Sequence, residues 1–261
     1  MSQVIDCHIH FNSAGGQYDE DEVRACLALA DRAGIDRMVY LFNLPAGGVD
    51  PQEADLVASN DIGMELMRRH PERFASFCYL NPSMPLTFSL AEIDRCIASG
   101  PMLGIKLWIS VHADDARLDP IMARAASLQV SVLHHAWYKA TGFVFNESTP
   151  AEIATLARRH PDVAIIMAHL AGGGWRGVRD IRECPNVVVD TSGAQPHAGL
   201  VEYAVEQLGA DRVVYGSDWP IRDFAVQRAR LEGANLTDQQ KTLILGGTMK
   251  RLLATKAGNA P

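Results

Sequence analysis

The stretch Val4–Phe11, VIDCHIHF, decides how the rest of the chain is interpreted. It opens with two β-branched residues and therefore predicts a short strand. Alternate residues of a strand share a face, so Asp6, His8 and His10 are expected to point the same way. Two imidazoles one strand step apart can bind a single metal ion. A histidine pair is also typical of a hydrogen-bonded core, so the other strands must decide between these two interpretations.

Apolar and amphipathic runs alternate along the whole chain, and eight apolar runs predict strands that are each followed by a helix. The predicted strands are Val4–Phe11, Arg37–Phe42, Phe74–Leu80, Met102–Ile109, Val130–His135, Val163–His169, Val187–Asp190 and Arg212–Tyr215. They are short, apolar and often β-branched, which is typical of fully buried parallel strands. No dinucleotide glycine fingerprint follows the first strand, and this disfavours an open doubly wound sheet. We therefore expect one α/β domain over residues 1–261, folded as a (β/α)8 TIM barrel.

Composition excludes several classes of protein. The chain has a net charge of −7 and a pI of about 5.7, without a basic stripe, so nucleic acid is not an expected partner. No apolar run approaches the roughly 18 residues of a membrane span, and no signal peptide is recognised. The five cysteines form no CxxC pair and fit reduced thiols, which favours a cytoplasmic protein. A small molecule is the expected partner.

Ionisable residues stand at the ends of most predicted strands. They are His8 and His10, Lys106, His134 and His135, His169, Asp190, and Asp218. In TIM barrels the active site lies at the C-terminal ends of the strands, so these side chains are expected to converge. Buried ionisable groups are unfavourable unless they are paired or bound to a metal. The whole set therefore predicts a metal site.

These motifs resemble the amidohydrolase superfamily, specifically its amidohydrolase-related branch of metal-dependent hydrolases, lactonases and resorcylate-type decarboxylases. The resemblance runs nearly the full length of the chain. It rests on Ile5–His10, Gly104–Leu107, Val132–His135, Met167–Gly173, Tyr215–Pro220 and Ile244–Leu253. One departure is Thr248, where the family usually has Asn.

The resemblance implies a ligand set. His8 and His10 match the first-strand ligands, and Asp218 matches the eighth-strand aspartate. His169 matches a histidine that acts as a ligand or as an acid/base beside the metal. The fifth-strand ligand is either His134 or His135, and aligning Ser131 with the family's usual proline favours His135. Three histidines and a carboxylate suit Zn²⁺, our first expectation, and can also hold Mn²⁺.

Other residues near the strand ends are expected to support the site. Asp6 would orient a ligand histidine. Trp137 and Arg222 would contact substrate, the latter through a carboxylate. Lys106 would also contact substrate, although it could instead be carboxylated and bridge two metals, or pair with a carboxylate such as Asp190. The apolar final helix could support a homo-oligomer.

The resemblance leaves two reactions open. In the first, which we expect, metal-bound water attacks a small ester, lactone or amide while Asp218 takes a proton and His169 assists the carbonyl or leaving group. In the second, a non-oxidative decarboxylase holds the oxygens of a small carboxylated substrate while a proton replaces CO2. The compact chain, without long insertions, favours the hydrolase. A barrel that binds a ligand without turnover is disfavoured by the complete ligand set.

Overall fold

A computed structural model describes residues 3–257, except 14, 15, 45–47, 140, 141, 143 and 196. The ends of the predicted domain, residues 1, 2 and 258–261, lie outside this part. The described strands are β1 (Ile5–Phe11), β2 (Arg37–Asn43), β3 (Phe74–Ser76), β4 (Cys78–Leu80), β5 (Gly104–Leu107), β6 (Ser131–His134), β7 (Ile165–Met167), β8 (Val187–Asp190) and β9 (Val213–Val214). All neighbours pair in parallel, as β1-β2-β3 and as β4 through β9 in order.

The two sheets join at two seams. Only Phe77 separates β3 from β4, and its amide donates to the Tyr40 carbonyl of β2 at 3.1 Å, so both segments occupy one barrel position. On the other side, Ile9 of β1 pairs in parallel with Trp219, which follows β9. The predicted eight-stranded barrel is therefore confirmed, with its third strand divided in two.

Helices follow the strands and cover the barrel. They are α1 (Glu20–Arg32), α2 (Glu53–Arg69), α3 (Leu86–Ile93), α4 (Asp119–Leu128), α5 (Pro150–Arg159), α6 (Leu170–Ile181), α7 (Leu200–Leu208), α8 (Phe224–Glu232), α9 (Asp238–Thr242) and α10 (Thr248–Ala257). Two π-helical turns, Asp94–Ala98 and Leu243–Gly247, follow α3 and join α9 to α10. Among these described helices, none combines the length and hydrophobicity that crossing a membrane requires.

The strand alternation divides the apolar core into two clusters. Val39 and Leu41 of β2 belong to a cluster inside the barrel, with Leu133 of β6 and Ile166 of β7. Tyr40, between the first two, belongs to the cluster that packs under the helices. Side chains on the inner face of the strands point into the barrel. Those nearest the C-terminal ends of the strands therefore reach the barrel mouth.

The prediction that Asp6 shares a face with His8 and His10 is wrong. The pairing of β1 with β2 shifts register after Asp6, so the alternation of side chains is interrupted. Cys7 belongs to the inner apolar cluster instead. The Asp6 carboxylate accepts the backbone amides of His8 and Ser217, both at 3.0 Å. Asp6 therefore fixes the backbone around His8 and does not contact an imidazole.

Candidate metal centre

The cavity at the C-terminal ends of the strands has a volume of about 310 Å³. It is lined by all eight site residues predicted from the sequence: His8, His10, Lys106, His135, Trp137, His169, Asp218 and Arg222. The barrel brings them together because its parallel strands all end at the same rim. Their individual roles stay predictions.

Three of these residues form a compact group near the end of β1. The Nε2 atoms of His8 and His10 lie 3.1 Å apart, and each is 3.5 Å from Oδ1 of Asp218. All three side chains are buried. Two imidazole nitrogens and one carboxylate oxygen facing the same point are ligand types that Zn²⁺ and Mn²⁺ both accept.

Hydrogen bonds on the other ring nitrogens set the tautomers of these two histidines. His8 Nδ1 donates to Oδ2 of Asp190 at 2.7 Å, and His10 Nδ1 donates to the Phe42 carbonyl at 3.2 Å. A carboxylate and a carbonyl can only accept, so the hydrogen of each ring is on Nδ1. The lone pair of each ring is therefore on Nε2, which faces the cavity.

His135 and His169 are arranged by the same principle. His135 Nε2 donates to Oε1 of Glu147 at 2.7 Å. His169 Nδ1 lies 2.7 Å from the Ser192 hydroxyl, which donates its own hydrogen to Asp190 and must accept from the imidazole. The lone pairs are left on Nδ1 of His135 and Nε2 of His169, and these two atoms face each other at 3.1 Å.

The donor set fits a divalent metal ion. Four imidazole lone pairs point into one cavity as two facing pairs, and facing acceptors repel each other unless a cation or proton lies near them. Burial lowers the pKa of all four histidines, which favours the neutral form that binds metals. The Asp218 carboxylate adds the negative charge that such a site requires.

Asp190 has an orienting position. Its Oδ2 accepts from His8, and its Oδ1 accepts the backbone amides of His169 and Ser192, both at 2.9 Å. The ligand atoms of His8, His169 and Asp190 lie within 4.8 Å of one another, as do those of His8, His10 and Asp218. Because the oxygens of Asp190 are already engaged, its part is to hold imidazoles in place.

Two site residues have backbone conformations that are unusual for their type. His169 has a φ of 71° and Asp218 a φ of 68°, in the left-handed region that favours glycine. Such conformations are unfavourable by about 1–3 kcal/mol and persist where the surrounding structure imposes them. His169 lies two residues after the end of β7 and Asp218 four residues after the end of β9, and both side chains line the cavity.

Lys106 is buried in the cavity wall and has no charged partner among the described residues. It is 1% exposed, and burial lowers the pKa of its ammonium to about 8. Its Nζ lies 5.7 Å from the centre of the Phe42 ring. The suggested ion pair with Asp190 is not formed, because Asp190 bonds to His8 and to the β7 and β8 termini instead.

Trp137 packs on the imidazoles from the loop after β6. Its ring centre lies 5.0 Å from that of His169 and 6.3 Å from that of His135. A Cβ atom at Gly172 would lie 2.5 Å from the Trp137 ring, so only glycine permits this contact. Arg222 is at the rim, where its guanidinium donates to the neighbouring Ile221 carbonyl at 2.8 Å.

The structure distinguishes the two histidines at the end of β6. His135 lines the cavity, whereas His134 is buried outside it, with Nδ1 2.8 Å from the His135 carbonyl. Sequence reasoning missed Glu147 and Ser192, which bond to His135 and His169. Both lie in runs of polar loop residues, where no periodic pattern indicates the direction of a side chain.

Known proteins are similar to the chain over most of its length. The gamma-resorcylate decarboxylase of Polaromonas sp. strain JS666 is 22% identical over 278 residues, which cover 86% of this chain and 85% of that protein. Other curated relatives are also gamma-resorcylate decarboxylases. The expectation of a hydrolase is therefore wrong, because these relatives are decarboxylases.

Solved structures share the barrel. The 5-carboxyvanillate decarboxylase of Sphingomonas paucimobilis has a TM-score of 0.76 at 16% identity and covers 97% of this chain and 99% of its own. A Polaromonas dihydroxybenzoic acid decarboxylase, solved with manganese and 2-nitroresorcinol, has a TM-score of 0.75 at 20% identity, covering 100% and 98%. The family model described as Amidohydrolase matches residues 5–254, and the chain belongs to this family.

Proposed function

We propose that this protein is a metal-dependent decarboxylase that releases CO2 from a small carboxylated aromatic acid without an oxidant. The observation that carries the proposal is the similarity to gamma-resorcylate decarboxylases across 86% of the chain. The cavity supports it in three ways: its walls suit a planar molecule, its buried Lys106 ammonium has no ion-pair partner in the described part of the chain, and its imidazoles suit a metal.

The walls and charges of the cavity suit an aromatic acid. Phe42 and Trp108 lie 5.3 Å apart between ring centres, and Trp137 forms another wall. Aromatic walls favour a flat apolar ring packed against them. The buried ammonium of Lys106 is unfavourable without an anion, and a substrate carboxylate would supply one.

His8, His10, His135 and Asp218 are the residues that would hold the metal, and His169 would stand beside it with its Nε2 lone pair free for the substrate. When bound, a divalent cation fixes and polarises oxygen atoms of the substrate. We propose Mn²⁺ in place of the Zn²⁺ first expected, because the Polaromonas decarboxylase that shares the fold was solved with manganese. Nitrogen and oxygen ligands accept either ion, so the choice rests on that likeness.

The reaction needs a proton carrier. The bond between the ring carbon and the carboxylate breaks, its electron pair stays on the ring carbon, and a proton must reach that carbon as CO2 leaves. We propose that Asp218 delivers this proton after taking it up from a substrate hydroxyl or from water, because the other acidic residue in the described wall, Glu147, has both oxygens engaged. His169, with its lone pair on Nε2, can accept a hydrogen bond from a substrate hydroxyl.

Product analysis tests the proposal. The Mn²⁺-loaded protein is incubated with hydroxylated benzoic acids, including 2,6-dihydroxybenzoate and 5-carboxyvanillate, and with a matched set of lactones and esters. We expect CO2 and the decarboxylated phenol from at least one acid, and loss of this activity in Asp218→Asn. The exposed His112 lies outside the cavity, so His112→Gln should keep the activity. New acid groups from the lactones without CO2 from any acid would overturn the proposal.

A further inference from the structure

Glu147 is a buried carboxylate in the loop between β6 and α5, and it reaches into the cavity. Its side chain is 2% exposed. Oε1 accepts from His135 Nε2 at 2.7 Å, and Oε2 lies 2.9 Å from Lys139 Nζ. Oε2 also lies 3.3 Å from the Val144 amide nitrogen. Both oxygens of the carboxylate are thus satisfied by groups at the mouth of the barrel.

The loop that carries Glu147 is fixed to its surroundings on both sides. Asn146 donates from Nδ2 to the Ser110 carbonyl at 2.8 Å, across to the loop after β5. The Ser148 hydroxyl accepts the Ala113 amide at 2.9 Å, and the Ser148 carbonyl accepts the Trp137 amide at 2.9 Å. These bonds hold the Glu147 backbone, so the carboxylate has a defined position relative to the His135 ring.

That position decides which nitrogen of His135 is free. An ionised carboxylate only accepts hydrogen bonds, so the hydrogen of the neutral ring must be on Nε2. Nδ1 then carries the lone pair and lies 3.1 Å from His169 Nε2, inside the donor set. With the opposite tautomer, Nδ1 would carry a hydrogen into the cavity, and Nε2 would lose its bond to Glu147.

We infer that Glu147 is the positioning residue of His135: it holds the hydrogen on Nε2 and presents Nδ1 to the metal, while Lys139 balances its charge. This inference rests on the metal-binding part of the proposed function and is independent of the reaction. Partners that hold a ligand imidazole in one tautomer typically contribute 10- to 100-fold to metal affinity. A carboxylate that merely fixes the loop would contribute to stability alone.

A second buried carboxylate provides the matched control. Glu92 of α3 is 4% exposed and, as Glu147 does with Lys139, forms an ion pair with a cationic side chain, here Arg95. It lines no part of the cavity wall described above. Glu92→Gln should therefore lower the thermal midpoint without changing the affinity for Mn²⁺, whereas a change at Glu147 should alter both.

The experiment measures Mn²⁺ dissociation constants by isothermal titration calorimetry for the wild type, Glu147→Ala, Glu147→Gln and Glu92→Gln. We expect affinity to fall about 10- to 100-fold in Glu147→Ala. It should fall less in Glu147→Gln, because an amide can accept the same bond but can also donate to Nε2. In the metal-free protein, the imidazole ¹⁵N shifts of His135 should show Nε2–H in the wild type and a mixture of tautomers in both Glu147 variants.

The outcomes separate the two proposals. If the wild type binds Mn²⁺ and both Glu147 variants bind it within about twofold, with the wild-type tautomer retained, only the role of Glu147 is overturned. If Glu147→Ala does not fold, Glu147→Gln and the ¹⁵N shifts decide the question. If the folded wild type binds no Mn²⁺, the metal-dependent function and this inference are both overturned.

Discussion

Oδ2 of Asp190 lies 2.7 Å from Nδ1 of His8, while Oδ1 of Asp218 lies 3.5 Å from Nε2 of the same ring. One carboxylate thus holds the imidazole from behind, and the other stands beside its free lone pair. This arrangement makes Asp190 a determinant of metal affinity without making it a ligand.

Replacing Asp190 with Asn should weaken metal binding about 10- to 100-fold, because an amide can donate to His8 Nδ1 and move its lone pair away from the cavity. Calorimetric titration with Mn²⁺ measures the change. Asp119→Asn is the matched control, because Asp119 accepts from His160 at 2.7 Å but both belong to helix ends outside the cavity. Equal affinities in the two variants would contradict the orienting role of Asp190.

Replacing Lys106 with Met should impair binding of the acid and leave the fold intact. A hydrogen bond to a charged group is worth about 1.5–3 kcal/mol, so kcat/KM should fall roughly 10- to 150-fold, mainly through KM. Stability should be kept or raised, because a buried ammonium that has no ion-pair partner among the described residues is replaced by an apolar side chain of similar length. A large drop in the thermal midpoint, with KM unchanged, would show that Lys106 is a structural residue.

Replacing Gly172 with Ala should displace Trp137, because the new Cβ would lie 2.5 Å from its ring. We expect a rise in KM and a change in tryptophan fluorescence. Gly173→Ala is the control in the same helix, since its Cβ would meet no atom closer than 3.2 Å. If both variants bind substrate as the wild type does, Trp137 is not part of the binding wall.

The buried Glu92 should make stability depend on pH. Burial raises its pKa, but hydrogen bonds from Arg95 and Asn60 outweigh this and hold the pKa below its ordinary value. The stabilisation from a lowered pKa is present above the ordinary value of about 4.5 and is lost as the pH falls. Glu92→Gln should therefore destabilise the protein by about 1–3 kcal/mol at pH 7 and by less near pH 4. Thermal unfolding at both pH values measures this, and an equal difference at both would contradict it.

Much of the fold and of the cavity wall could be predicted from the sequence. Buried parallel strands are short apolar runs, and ionisable residues such as His169 and Asp218 mark their ends. The face of Asp6 could not be predicted, because the irregular register of β1 leaves no trace in the alternation. Glu147 escaped notice because the direction of a loop side chain depends on tertiary bonds.

The reaction was the part of the function that the ligand residues could not decide. The same histidines and aspartate serve water activation and decarboxylation, so residue types alone leave both reactions open. The compact length of the chain is no guide to the reaction, because a gamma-resorcylate decarboxylase matches 86% of this chain over 85% of its own length.

Removing the first-strand ligands should abolish metal binding. The wild type should hold about one Mn²⁺ per chain after loading and dialysis, and His8→Ala with His10→Ala should hold none, because two of the nitrogen donors are lost. Elemental analysis gives the ratio, and His112→Ala controls for the loss of an exposed histidine. Equal metal in the double variant would place the ion elsewhere.

The most direct test of the central claim is CO2 release before and after metal removal. The protein is stripped with a chelator, assayed with the acid that it decarboxylates best, and assayed again after Mn²⁺ is restored. We expect CO2 release to disappear on stripping and to return with Mn²⁺. Undiminished release by the stripped protein, or none from any carboxylated aromatic acid with Mn²⁺ bound, would contradict a metal-dependent decarboxylase.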